Sequence, residues 1–170
     1  MMLCITSLSA QTLINSSIDI TAGYTPDGYA INANYNIVFD PSYMKLGMYV
    51  SSSKEITTEN YEIPYSIFSV NAGYFYPLIT SNNQIFVFSA GGGVLAGYEI
   101  VNNGSKELPN GSLIDSQSNF IYGGFATGEL EIGITNRFYI LAKATEYYHL
   151  NSDLGAATFY GGIGARFYIN

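Results

Sequence analysis

Eight stretches of this chain alternate apolar and polar residues with a period of two, and that pattern limits what it can fold into. Successive side chains of a β-strand point to opposite faces, so alternation gives a strand with one apolar and one polar face. In 29–39, Tyr29, Ile31, Ala33, Tyr35, Ile37 and Phe39 share one face; Ala30, Asn32, Asn34, Asn36 and Val38 share the other. The same period runs through 14–24, 43–51, 84–100, 119–134, 137–148 and 157–169. It puts Tyr35, Leu46, Phe88, Leu130, Ile140 and Ile163 on the apolar side, and Asn34, Lys45, Glu99, Glu129 and Arg166 on the polar side. The stretch 61–78 is less regular. Phe68, Val70, Ala72, Tyr74 and Tyr76 share one parity, while Ile63, Tyr65 and Ile67 have the other, which predicts a bulge or a rim extension near Ile67.

Length separates the all-β alternatives. A soluble sandwich strand runs about 5–6 residues, whereas a strand crossing a bilayer at a tilt of about 45° needs about 9–11. Most of the eight stretches are of the second kind, and no helical period competes with them. Charge agrees: 11% of residues are charged, against about 25% in a soluble domain, while 48% are hydrophobic and 15% aromatic. Asp19, Lys45, Glu99, Glu129, Glu131, Lys143 and Arg166 all take the polar parity; Glu146 is the main charge on the apolar one, near the end of its stretch. Tyr24, Tyr29, Phe39, Tyr76, Phe86, Tyr98, Phe120, Phe138, Tyr148 and Phe159 gather near stretch ends, as interfacial girdles do. A soluble lipocalin-like barrel with an apolar inside would turn its charges to water.

The connections fall at 25–28, 40–42, 52–60, 77–83, 101–118, 135–136 and 149–155. With the N-terminus on the periplasmic side, the longer ones lie outside and the tight ones inside, the first excepted. The expected fold is therefore all-β: an eight-stranded antiparallel up-and-down transmembrane β-barrel in the bacterial outer membrane, closed by pairing 157–169 with 14–24.

Other classes are excluded by composition. The aromatic and branched apolar content rules out disorder. Six Lys+Arg scattered singly, in a chain of net charge -7, make no nucleic-acid patch. One Cys makes no disulfide framework or zinc site. No stretch approaches the roughly 18 apolar residues of a membrane helix. Met1–Ala10 is apolar and ends in small residues, so 1–10 reads as the remnant of a signal peptide and 11–170 as one barrel domain.

Individual motifs favour plain readings. Gly91-Gly92-Gly93-Val94-Leu95-Ala96 mimics a dinucleotide fingerprint, but Gly97-Tyr98-Glu99-Ile100 continues a strand where the cofactor needs a helix N-terminus. His149, near Ser152 and Asp153, could suggest a hydrolase, but it reads as a solvated loop residue. Asn103-Gly104-Ser105 and Asn110-Gly111-Ser112 read as turns rather than glycosylation sites. The end of the chain, with Gly164, Phe167 and Ile169, matches the pattern by which barrels are recognised for insertion; Asn170 follows the final hydrophobe, where the pattern normally stops on an aromatic.

Charges inside a narrow barrel must be paired or solvated. A three-residue turn at 135–137 sets Ile134 opposite Phe138 and therefore Glu129 opposite Lys143. Asp19 and Arg166 sit at similar height on the two strands that close the barrel. The expectation is an internal polar network of Asp19, Glu129, Glu131, Lys143 and Arg166, structural and not catalytic.

The C-terminal part carries a family resemblance. Ala96-Gly97-Tyr98-Glu99 is followed by Asn102-Asn103-Gly104, then Leu113-Ile114-Asp115, Phe120-Ile121-Tyr122-Gly123 and finally Gly162-Ile163-Gly164-Ala165-Arg166-Phe167. In order and spacing these resemble the TraO family of Bacteroides-type conjugative transposons over roughly residues 70–170; the N-terminal half agrees mainly in strand layout. The resemblance implies a non-enzymatic outer-membrane component of a DNA-transfer apparatus, acting as scaffold or surface element. Its partners would be outer-membrane lipid, the barrel-assembly machinery and other conjugation proteins, with no cofactor and no direct contact with nucleic acid. The alternatives are a general OmpX-like surface or adhesion barrel and an outer-leaflet lipid hydrolase.

Overall fold

A computed structural model of the chain describes residues 15–26, 28–56, 62–81, 85–105, 118–152 and 155–169. They form eight strands: β1 (Asn15–Thr25), β2 (Gly28–Phe39), β3 (Ser42–Ile56), β4 (Glu62–Thr80), β5 (Phe86–Val101), β6 (Asn119–Gly133), β7 (Phe138–His149) and β8 (Ala157–Ile169). Each pairs antiparallel with its sequence neighbours, and β1 pairs with β8 from Ser16↔Ile169 to Tyr24↔Gly161, so the sheet closes into a barrel. Closure leaves no open edge along the wall. Among the described residues no helix is long and apolar enough to cross a membrane.

The alternation sets the faces as expected. Asn34, Lys45, Glu99, Glu129 and Arg166 are buried inside, while Tyr35, Leu46, Ile140 and Ile163 are exposed on the outer wall. Phe88 and Leu130, on the same outward parity, are half-buried by their neighbours. Most of the large apolar side chains face outward and most of the charges of the wall lie within.

Bulk is also distributed by need. A Cβ on Gly123 would lie 1.8 Å from the Tyr148 carbonyl oxygen, and one on Gly164 1.9 Å from that of Ile20. Glycine at these inward positions lets neighbouring strands coil tightly around a narrow lumen. Gly73 makes room for an aromatic, since its Cβ would come 2.7 Å from the Phe125 ring. Gly91-Gly92-Gly93 lies within β5 and opens no helix.

Of the two expectations near Ile67, the bulge is absent, and β4 instead extends towards the rim from Glu62. The β3–β4 register runs without a break from Tyr43↔Phe75 to Ile56↔Glu62. Ile63 and Ile67 point inward and are buried; Ile67 joins a cluster with Leu95, Ile121 and Tyr147, with the buried Ser51 and Glu99 as its cross-strand neighbours. The register shift in β4 lies instead at Pro77/Ile79, against β5, where Leu78 is the extra residue. Proline lacks the N–H that a regular ladder would use. The strands also run further than the alternation alone marks: β3 has 15 residues, β4 19 and β5 16. At the rim β5 ends in a short turn in which Asn102, Asn103 and Gly104 have φ of 46°, 54° and 82°, values that asparagine and glycine tolerate best. Met1–Ala10, Asn110–Ser112 and Asp153 lie outside the described residues.

Candidate functional site

The β6–β7 turn closes with Ile134 N donating to Phe138 O at 2.9 Å, and the count from there gives Glu129↔Lys143. The closing seam gives Asp19↔Arg166. All four side chains point into the lumen from odd positions of β1, β6 and β7 and an even position of β8, where they meet Glu131 and a further cation, Lys45 of β3.

Both carboxylate oxygens of Asp19 are engaged. Oδ1 accepts from Asn34 Nδ2 at 2.6 Å and Lys143 Nζ at 3.2 Å; Oδ2 accepts from Asn36 Nδ2 at 2.8 Å and Arg166 Nη2 at 2.9 Å. Glu129 Oε1 accepts from Lys45, and its Oε2 from Tyr43 Oη at 2.9 Å and Arg166 Nη2 at 2.7 Å. Arg166 Nη1 donates to Glu131 Oε1 at 2.5 Å, while Tyr168 Oη donates to Glu131 Oε2 at 3.0 Å. Lys143 lies 3.3 Å from Glu129, but it donates to Asp19 and to Asn32 Oδ1 at 2.9 Å. Asp19, Glu129 and Glu131 thus face Lys45, Lys143 and Arg166, a balanced set. Burying one charge alone is costly; burying a balanced and largely hydrogen-bonded set is tolerable, and here Arg166 Nε is left without a partner among the described residues.

Sequence reasoning placed Lys45 on the inner face but outside this network. Lys45 reaches Glu129 across the lumen, from β3 to β6, and strand-neighbour counting finds only adjacent pairs. Tyr43 and Phe75 were also missed. Their rings stack at 5.2 Å, Lys45 Nζ lies 4.3 Å from the Phe75 ring centre, and the Arg166 guanidinium is 5.2 Å from that of Tyr43. The cations are therefore held by aromatic faces as well as by carboxylates.

An aromatic and aliphatic layer lies towards the long-connection rim. Tyr49 packs on Tyr147 at 4.5 Å and on Tyr160 at 5.7 Å, with Phe125, Ile67, Leu95 and Ile121 around them. The void between the two layers measures about 10 Å³, roughly the space of one water. A hollow of about 950 Å³ lies on the outer wall, among Ile18, Tyr35, Leu46, Met48 and Phe167.

His149 departs from its expected place. It is 2% exposed, the last residue of β7, and its ring lies parallel to that of Tyr147 at 6.3 Å. It is no solvated loop residue because β7 runs one residue further than expected and His149 shares the inward parity of Lys143, Thr145 and Tyr147. Leu150 N donates to Tyr122 O at 2.8 Å, Asn151 Nδ2 to Phe120 O at 3.0 Å, and Ser152 Oγ to Glu99 Oε2 at 2.6 Å. The Ser152 hydroxyl therefore serves Glu99, and neither ring nitrogen of His149 has a hydrogen-bond partner among the described residues. A serine hydrolase needs that histidine on the hydroxyl. Among the described residues no three His, Cys, Asp or Glu side chains gather as metal ligands. Gly164 faces inward in β8, whereas Phe167 and Ile169 stand exposed on the outer wall.

Comparison with known proteins adds a family and a fold. The family model described as conjugative transposon protein TraO matches residues 10–169. No curated protein matches the chain in sequence. Among solved structures, Ail, the attachment invasion locus protein of Yersinia pestis, superposes with a TM-score of 0.61 at 14% identity, covering 92% of this chain and 99% of that one. Neisserial surface protein A (NspA) gives 0.62 at 11% identity, over 90% and 94% of the two chains. The outer membrane protein OprG of Pseudomonas aeruginosa gives 0.62 at 8% identity, over 92% and 96%. At these identities the likeness is one of fold, an eight-stranded small barrel.

Proposed function

Because this chain belongs to the TraO family of conjugative transposon proteins, we propose that it is a non-enzymatic outer-membrane barrel of a conjugative transfer apparatus, serving as a closed scaffold whose long connections form its outer surface. The observation that carries the reading is the filled lumen. Six charges locked in mutual pairs and a layer of tyrosines leave no passage for DNA or protein. Work done by such a barrel is done on its surface and not through it. The outer-membrane setting is supported by the apolar outer wall and by the fold shared with Ail, NspA and OprG. Residues 1–10 are then a leader remnant, and Gly164, Phe167 and Ile169 belong to the signal read by the barrel-assembly machinery. Other conjugation proteins are the expected partners, and the buried network of Asp19, Glu129, Glu131, Lys143 and Arg166, with Lys45, holds the walls in register.

Deletion of the gene in its host tests the role. Transfer frequency should fall and return on complementation, with the protein in the outer-membrane fraction. A second reading, a surface adhesion barrel, draws on the likeness to a protein named for attachment and invasion. Unchanged transfer together with reduced attachment to surfaces or cells would favour it.

A further inference from the structure

His149 is buried with nothing to hold its ring nitrogens. It is 2% exposed, and neither Nδ1 nor Nε2 has a hydrogen-bond partner among the described residues. A neutral imidazole has one N–H donor and one acceptor nitrogen; an added proton makes two donors and a charge. A charge buried without a partner is far costlier than an unpaired neutral group. The surroundings of the ring supply no counter-charge. On β6 the residue opposite is Gly123, and the next inward position towards the rim is Ile121. On β7 itself Tyr147 lies next below it in the lumen, and the Tyr147 hydroxyl accepts from Asn32 Nδ2 at 3.2 Å. On β8 the inward Tyr160 is paired with Thr21 Oγ1 at 2.8 Å. Tyr49 of β3 and Tyr65 of β4 are the other inward phenols of this half, and Glu99 of β5 accepts from the Ser152 hydroxyl. Of these groups only a carboxyl and an imidazole ordinarily change charge below about pH 8.

The way from this ring to water is the outer mouth. The walls of β6 and β8 flank it, and the tyrosine layer closes the lumen beneath it. At the mouth the ladder between β7 and β8 ends at Tyr148↔Ala157, followed by one more backbone bond, His149 N to Ala156 O at 2.7 Å. Beyond it Leu150–Ser152 are tied down by three single hydrogen bonds: Leu150 N to Tyr122 O, Asn151 Nδ2 to Phe120 O and Ser152 Oγ to Glu99 Oε2. Leu150 and Asn151 are exposed. A few exposed bonds at the end of a strand open at far lower cost than the ladder of the wall.

We propose that His149 is an acid-sensitive latch of the outer mouth: on taking up a proton its ring moves to water and releases Leu150–Ser152 from β6 and β5. The sign follows from where the proton can bind. The closed form offers the imidazolium no acceptor, whereas the open form solvates it. The latch is therefore closed above the ordinary histidine value of about 6.5 and opens as pH falls below it. Opening rises about tenfold per pH unit in that range, or about thirtyfold from pH 7.5 to pH 5. The inference rests on the fold and not on the role in transfer.

The test follows exchange of the Leu150 amide hydrogen by NMR, with the full chain in lipid nanodiscs. The rate is expressed relative to an unstructured chain at the same pH, which removes the pH dependence of exchange itself. Protection should fall about thirtyfold between pH 7.5 and pH 5 in the parent and stay level in H149Q. Amides within β1–β3 should stay protected in both, which shows that the barrel itself is intact. If H149Q folds poorly, as read by the heat-induced gel shift, H149L carries the comparison, since leucine suits the apolar surroundings of Leu95 and Ile121. Equal protection at the two pH values in the parent would overturn the proposal. So would a fall that persists in the His149 variants and disappears in E99Q, which would assign the titration to Glu99. Transfer frequency is not the readout, so failure here leaves the proposed role as it stands.

Discussion

Lys45 reaches Glu129 across the lumen, and with Arg166 and Tyr43 it leaves that carboxylate fully engaged. Lys45→Met would leave Asp19 and Glu129 short of a cation in a site closed to water. That should cost about 3–5 kcal/mol, the penalty for breaking one side of a buried pair, read from urea unfolding in lipid vesicles. Glu129→Gln combined with Lys45→Met should cost less than the sum of the single changes, with a coupling of about 0.5–3 kcal/mol. A cycle with no coupling would show that the two side chains do not meet. At this scale the sequence was legible where pairing is local. The turn at 135–137 sets Glu129 opposite Lys143, and closure sets Asp19 opposite Arg166. It was illegible where contact crosses the barrel, as for Lys45 and Tyr43. His149 is buried for a different reason: β7 runs one residue past the end that the alternation marks and carries His149 inward on the parity of Tyr147.

β4 shows how far a period of two can carry an element. Its outward parity, Phe68 to Tyr76, reads off the sequence directly, yet Ile63 and Ile67 looked out of phase because an inner face was expected to be polar. Near the long-connection rim the inner face mixes apolar residues such as Ile63, Ile67, Leu95 and Ile121 with Ser51 and Glu99, and the strand continues in phase. Ile67→Ala should therefore cost about 2–5 kcal/mol, as for a core isoleucine, in the same vesicle assay; a change near zero would place Ile67 outside the packed layer. β7 offers the opposite case. Ile140 is exposed on the outer wall, opposite Ile132 and Ala165. Ile140→Arg should destabilise the barrel in a bilayer, by less than the about 2–4 kcal/mol of arginine at the mid-plane, because Ile140 lies two residues inside the Phe138 end of β7. If it inserts as well as the parent does, the outer wall does not face lipid.

The molecule as a whole is a wall around a filled centre. Eight strands leave a lumen just wide enough for side chains, and this chain fills it with one layer of paired charges and one of aromatics. Strand number, closure and the two faces follow from alternation, while the way the lumen is sealed emerges only from contacts between strands that are not neighbours. The barrel is expected to span the bilayer and to carry nothing through itself. Single-channel recording decides this, with folded protein in planar bilayers and insertion verified on the same sample by the heat-induced gel shift. A sealed lumen gives a baseline without steps at voltages of either sign. A stable conducting level, reproducible from one insertion to the next, would mean that the lumen is open.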